Sequence, residues 1–279
     1  TTGTRRYAFR RKDQRDWEPL STVADGNGFD PHGVDPTLDI AYGLKRVDGR
    51  YAAYSLALDG SGTEKLVFAH DSVDVTGFER IGRNGRIIGA RYVTDVSTVH
   101  YFDPAVAAMI RTLTKALPKL PLIRVIDSSE DESRMLIWAG SDTDPGRFFL
   151  FDRAKKSLNE LMLQRPELEH VALAPVKHIT YPAADGTMVP AYLTLPAGGA
   201  AKGLPAIVLP HGGPEARDEW GFDWLSQFYA NQGFAVLQPN FRGSAGYGDA
   251  WLRKNGFRSW KIAIGDVGDA GRWLIKEGI

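Results

Sequence analysis

Leu204-Pro205-Ala206-Ile207-Val208-Leu209-Pro210-His211-Gly212-Gly213-Pro214 opens the stretch that decides the fold, and Gly233-Phe234-Ala235-Val236-Leu237-Gln238-Pro239-Asn240-Phe241-Arg242-Gly243-Ser244-Ala245-Gly246-Tyr247-Gly248 closes it. Each half carries a short apolar run bounded by Gly and Pro, the pattern of a buried strand in a parallel sheet. Between the runs, Trp220 to Gln232 has helical spacing, with Trp220, Trp224, Leu225 and Phe228 able to share one face. Strand, glycine loop, helix, strand is one βαβ unit. Open α/β sheets place their chemistry in the loop after such a strand.

Consecutive glycines let a backbone approach a ligand closely and turn its N–H groups toward it. In α/β-hydrolases an HGG-type loop after the third strand supplies one N–H of the oxyanion hole. On His211-Gly212-Gly213 alone, a plain glycine-rich βα turn explains the residues equally well.

The two halves together resemble the prolyl oligopeptidase family of serine peptidases, in particular its acylaminoacyl-peptidase and dipeptidyl-peptidase-like branch. The resemblance rests on His211-Gly212-Gly213-Pro214 followed by Asn240-Phe241-Arg242-Gly243-Ser244-Ala245-Gly246-Tyr247-Gly248, and it is close from about Val176 onward. It implies a β-propeller followed by an α/β-hydrolase domain, a Ser-Asp-His triad and hydrolysis of short peptides. It places an oxyanion-hole donor on the backbone N–H of Gly213, with Gly212 allowing the turn. The family's nucleophile sits in a G-x-S-x-G elbow after the strand that follows Trp273-Leu274-Ile275-Lys276. No G-x-S-x-G occurs among the 279 residues, and Gly243-Ser244-Ala245-Gly246 has the wrong spacing. The triad is therefore expected beyond residue 279, and this chain alone is expected to be inactive.

Composition narrows the alternatives. A length of 279 residues fits one large or two ordinary domains, and 43% hydrophobic with 24% charged residues fits a globular protein. The formal net charge is zero, which gives no reason to expect nucleic acid or an anionic membrane as partner. The cluster Arg5, Arg6, Arg10, Arg11 and Lys12 reads as a solvated segment. The absence of cysteine excludes disulfides, thiolate metal sites and a cysteine nucleophile. No apolar run reaches membrane-spanning length. Compartment stays open between cytoplasmic and periplasmic or secreted, and so does oligomeric state.

Residues 1–174 read as β-rich. Short runs such as Ala52–Leu58, Lys65–Phe68, Arg86–Ala90, Thr98–Phe102 and Phe148–Phe151 are separated by Asp48-Gly49, Asp59-Gly60 and Asn84-Gly85. Leu58-Asp59, Phe102-Asp103 and Phe151-Asp152 each end a strand and open a turn, with the aspartates 44 and 49 residues apart. Arg86 and Arg134 precede the latter two by 17 and 18 residues. A period near ~45 residues is that of a four-stranded propeller blade, and about four blades fit. A β-sandwich with coincidental spacing is the alternative. Leu113 to Leu120 reads as a short helix or an excursion, ended by Pro118 and Pro121. Asp127 to Glu132 reads as a solvated turn.

Residues 175–279 are expected to form the first part of the hydrolase domain. Val176–Tyr181 and Val189–Leu195 make a hairpin around Ala183-Ala184-Asp185-Gly186, Asp249–Phe257 has helical character, and Asp266–Lys276 is a helix stopped by Gly278. In the hydrolase order the strand at Ala206–Leu209 lies between Ala235–Gln238 and the nucleophile strand. A chain ending at Ile279 thus leaves one strand edge bare and is expected to associate or precipitate unless the remaining C-terminal part covers it.

Among single residues, His211 reads as a pin for its loop rather than a general base, and Arg242 as an architectural clamp. Ser244 and Tyr247 are expected near the site rim, and Trp220, Trp224, Trp251, Trp260 and Trp273 in the core. His32, His70, His100, His170 and His178 show no metal-ligand spacing, so neither metal nor cofactor is expected. The expected ligand is a short peptide. An esterase on the same fold, or a binding protein with a vestigial hydrolase domain, stays open, because fold does not settle substrate.

Overall fold

The computed structural model describes residues 3–199, 201–213, 215–252, 255 and 259–279. Pro214, and part of the segment Asp249–Phe257 expected to be helical, lie outside them.

Among the described residues, four antiparallel sheets follow one another along the chain. The first pairs β1 (Thr4–Phe9) with β2 (Glu18–Ala24). The second contains β3 (Asp30–Asp35), β4 (Ile40–Val47), β5 (Arg50–Ala57) and β6 (Glu64–Phe68). The third contains β7 (Val75–Ile81), β8 (Arg86–Val93) and β9 (Ser97–Tyr101), and the fourth β10 (Leu122–Ser128), β11 (Arg134–Gly140), β12 (Arg147–Asp152) and β13 (Ser157–Leu163). Each is a meander with strands in chain order.

Consecutive sheets each share a core of their own. Phe29, Ala41, Leu56 and Leu58 gather with Phe9 and Leu20 from the first sheet. Tyr42, Leu44 and Ala53 of the second sheet meet Val75, Phe78, Ile87 and Ala90 of the third. Ile81 and Ile88 of the third meet Val125, Met135, Ile137 and Phe149 of the fourth. Central strands therefore bury both faces, which is why their sequences lack a clean polar alternation.

The aspartate repeat marks one position in three sheets. Asp59 follows β5, Asp103 follows β9 and Asp152 ends β12, each the third strand of its sheet. Arg86 and Arg134 likewise open the second strands, β8 and β11. In the third sheet a helix, α1 (Pro104–Ala116), follows the third strand. The helix starts nine residues before the expected Leu113. Asp103 is its N-cap, accepting from the N–H groups of Ala105 (2.9 Å) and Val106 (3.2 Å), with Pro104 in the first turn. Asp-Pro here is a helix start rather than a turn. Val106, Met109 and Leu113 then point into the shared core. Asp127–Glu132 is also more than a solvated turn, because Glu132 accepts from Arg86 Nη2 at 2.8 Å while Arg86 Nη1 reaches Asp103 at 3.1 Å. These carboxylates hold the Arg86 pKa above its usual value, and the bridge joins the third sheet to the fourth.

The last sheet is mixed, in the order β14 (Val176–Pro182), β15 (Met188–Thr194), β17 (Ala235–Pro239), β16 (Ala206–Val208). β14 and β15 form the expected hairpin, β17 runs antiparallel to β15, and β16 runs parallel to β17. Among the described residues, β16 pairs with β17 alone. α4 (Trp260–Glu277) starts earlier than Asp266, buries Ala270 and Leu274 under this sheet with Tyr181, Val189 and Leu237, and ends at Gly278 with φ +75°. α3 (Asp249–Leu252) is a single turn.

α2 (Trp224–Asn231) corrects two expectations. It begins at the Asp223 N-cap, so Trp220 lies outside it, with its indole N–H donating to Val176 O at 3.0 Å. Its buried face is Ser226, Gln227 and Ala230, whereas Trp224 and Phe228 are 62% and 52% exposed. Gln227 decides the orientation. Its amide accepts from Ala174 N and donates to Ala174 O and Asp142 O, at 2.7–3.1 Å. A buried side-chain amide cannot leave such partners without a large desolvation cost. Trp260 is 59% exposed as well, so Trp224 and Trp260 are not core residues; Trp251 and Trp273 do pack against the core.

Candidate active site

Two loops leave the mixed sheet on the same side, His211–Gly213 after β16 and Asn240–Gly248 after β17. His211 joins them. Its ring stacks on Phe241 (4.6 Å between centroids, 15° between planes), and its Nε2 lies 2.7 Å from Ser244 Oγ. Its Nδ1 lies 2.8 Å from Gly212 O. Burial is the main cause that pushes the His211 pKa down. The imidazole pins the loop, as its position in the sequence suggested.

A serine within hydrogen-bond reach of a histidine has the outline of a nucleophile and base. Here the geometry excludes it. Ser244 is fully buried, not at the site rim, and its hydroxyl donates to Phe241 O at 2.7 Å. A nucleophile needs an open approach to its oxygen, which Ser244 lacks.

Gly213 has φ +128°, and a Cβ there would stand 2.8 Å from Glu215 N. Only glycine takes this conformation without strain. Gly212 has no such φ and open space around its Cα. Gly213 is exposed, and its N–H has no hydrogen-bond acceptor among the described residues. Because a peptide unit is planar, the contact at Gly212 O also sets the direction of the Gly213 N–H on the opposite side of that unit.

The second loop is held from several sides. Asn240, fully buried, donates to Pro190 O through its backbone, and its amide pairs with both backbone groups of Asp218 at 2.8 and 3.0 Å. Arg242 is the clamp expected. Its backbone N–H, Nε and Nη2 all donate to Asp266, Nη2 at 2.6 Å, while Nη1 reaches Asp185 at 2.5 Å and Thr187 Oγ1 at 3.2 Å. These carboxylates raise the Arg242 pKa, and the hydrogen bond from Arg242 brings Asp185 down to about 2. Two residues escaped the sequence reading. Arg217 and Asp218, just past the glycine loop, offered no motif of their own.

A cleft of about 400 Å³ opens between the fourth antiparallel sheet and the segment after the glycine loop, walled by Arg124, Trp138, Asp218, Trp220, Phe222 and Gln238. Asp218 Oδ2 is shut from solvent and unpaired among the described residues. Burial is the largest cause that raises the Asp218 pKa, to about 6. The folded state then holds a proton that the unfolded chain releases near 3.8. Stability is therefore expected to fall as pH rises from the unfolded value through about 6. Asp218→Asn should flatten this decline, read as urea midpoints across that window. An equal decline in wild type and variant would assign it to another group.

Among the described residues no group of three or more His, Asp or Glu is placed to hold a metal ion, and no helix is long and apolar enough to cross a membrane.

Comparison with known proteins gives concordant results. The model of the prolyl oligopeptidase family matches residues 220–279. Dipeptidyl aminopeptidase BIII of Pseudoxanthomonas mexicana is 31% identical over 242 residues, covering 83% of this chain and 34% of that protein. A solved prolyl endopeptidase structure matches 98% of this chain and 40% of its own with a TM-score of 0.70 at 17% identity. The Pyrococcus horikoshii acylaminoacyl peptidase structure matches 98% of this chain with a TM-score of 0.62 at 16% identity. Likeness at such identities concerns the fold. The chain spans about a third of the length of that dipeptidyl aminopeptidase.

Proposed function

The chain belongs to the prolyl oligopeptidase family of serine peptidases, and on that premise we propose that the protein hydrolyses short peptides through an acyl-enzyme. In this reading, residues 1–174 are propeller blades and residues 175–279 the first part of the α/β-hydrolase domain. The triad is supplied by residues beyond 279, where a strand beside β16 carries the nucleophile.

The observation that carries the proposal is the Gly213 N–H, on an exposed residue in the loop after a parallel strand, unpaired among the described residues and fixed in direction by the His211 side of the loop. When the serine oxygen attacks the scissile carbonyl, the carbonyl oxygen gains negative charge. A donor already aimed at that position stabilises the transition state by ~3 kcal/mol without reorganising. The same donor serves again when water attacks the acyl-enzyme, because that step also passes through an oxyanion. The names of the relatives favour release of dipeptides from a peptide's amino end. The β-sheet region of residues 1–174, which a simple esterase lacks, supports a peptide over a small ester, and a cleft of about 400 Å³ lies between its fourth sheet and the segment after the glycine loop. The reading names no cofactor.

The test is turnover by the full-length protein of dipeptidyl nitroanilides against nitrophenyl esters of simple acids. A kcat/KM higher for the dipeptidyl substrates is expected. Turnover of the esters alone would select the esterase, and turnover of neither a binding protein.

A further inference from the structure

We propose that Arg217 is a positioning residue that seats the Gly213 loop against the third antiparallel sheet; this rests on the peptidase reading above and names what holds its donor in place. The glycine loop has two stems. On the near side, His211 is tied to Phe241 and Ser244, all within the mixed-sheet unit. On the far side, Ala216 O accepts from Ala245 N at 2.9 Å, and the next residue leaves the unit. Arg217 Nη1 donates to Val93 O at 3.2 Å and Nη2 to Thr94 O at 3.1 Å, at the turn between β8 and β9. Its guanidinium carbon lies 4.3 Å from the centroid of the Tyr247 ring, and Nη2 also donates to the Tyr247 hydroxyl at 2.9 Å.

The fit is close. Gly246 has φ +87°, and a Cβ there would come within 2.9 Å of Arg217 Nη1. Both ends of the β7–β8 hairpin grip the mixed-sheet unit. Asp74, before β7, donates its N–H to Gly246 O and accepts from Gly248 N, each at 2.9 Å. Asp95, after β8, accepts from the Tyr192 hydroxyl at 2.7 Å and lies 3.2 Å from His178. Of these contacts, the one at Arg217 reaches the segment that carries Gly213, four residues away. A guanidinium holds two neighbouring carbonyls with a rigid fork while its flat face lies on a ring, whereas an ammonium has no such planar fork. Loss of this tie unseats the far stem from the third sheet and leaves it held only within the mixed-sheet unit, by Ala245 at Ala216 O and by Asn240 at Asp218.

The experiment compares Arg217→Ala, Arg217→Lys and His178→Ala in the full-length protein. His178→Ala removes a contact to Asp95 across the same junction that touches neither Arg217 nor the glycine loop. Arg217→Ala is expected to lower kcat about a hundredfold, the cost of a donor displaced by roughly an ångström, with KM much less affected. Arg217→Lys should recover only part of this, and His178→Ala should keep wild-type kcat. Amide exchange of segment 211–216 should quicken in Arg217→Ala while that of α4 stays unchanged. Unchanged exchange of 211–216 in folded Arg217→Ala would overturn the proposal whether or not the protein has peptidase activity. Equal losses of kcat in Arg217→Ala and His178→Ala would overturn it too, because the effect would then belong to the junction as a whole. Quickened exchange in a protein that turns over no peptide would leave the Arg217 tie standing and sink the peptidase reading.

Discussion

Gly213→Pro in the full-length protein is expected to lower kcat by about a hundredfold or more, since removing one oxyanion donor costs ~3 kcal/mol of transition-state stabilisation. Proline has no N–H to offer. Its φ near −65° is also remote from the +128° of Gly213, so the loop geometry is lost with the donor. The KM of an ester substrate should move much less, because a ground-state carbonyl needs the donor less than an oxyanion does. Gly212→Ala is the control. Its Cβ would meet nothing within 4 Å and its φ is ordinary, so kcat should stay near wild type. A folded Gly213→Pro enzyme with unchanged kcat would remove Gly213 from the mechanism.

Asp266→Ala is expected to destabilise the full-length protein by about 3–5 kcal/mol, the range for breaking a buried ion pair by removing one partner. Asp266 is fully buried, and its carboxylate takes the Arg242 backbone N–H, Nε and Nη2. Without it, a mostly buried guanidinium keeps only Asp185 and Thr187, both at the hairpin turn. The clamp joins three parts of the unit, the loop after β17, the β14–β15 turn and helix α4. Replacing both partners by apolar residues of similar size should recover much of the loss, because the pair itself offsets its own desolvation poorly. Urea unfolding of the two variants reads this. A loss below about 1 kcal/mol would class the pair with exposed ion pairs.

The parts of the molecule legible in the sequence are those where local chemistry and burial agree. β16, β17 and the β14–β15 hairpin follow from apolar runs between Gly and Pro, and Gly278 ends α4 as its position suggests. The aspartate repeat points to one position in three successive sheets, because each third strand closes with the same kind of turn or cap. The failures arise where a polar side chain overrules the apolar pattern. Gln227 turns α2 so that Trp224 and Phe228 face outward, and no periodicity reports a buried amide network. Asp103 starts a helix where a turn was expected, although Asp-Pro satisfies both rules. In the site, His211 and Arg242 were legible from their places beside the glycine loop and β17. Arg217 was not, because its partners are backbone carbonyls more than 120 residues away in the chain. Ser244 is not at the rim because its hydroxyl donates to Phe241 O inside the loop, a contact that no motif reports.

The account's central claim is that this chain carries the oxyanion loop of a serine peptidase while its nucleophile lies outside residues 1–279. Labelling the full-length protein with a fluorophosphonate and mapping the adduct by peptide mass spectrometry tests it most directly. The account predicts one modified serine, in a G-x-S-x-G segment beyond residue 279, and a much slower reaction in Gly213→Pro. An adduct on Ser244 with loss of turnover, or a turning-over enzyme that takes no label, would contradict it.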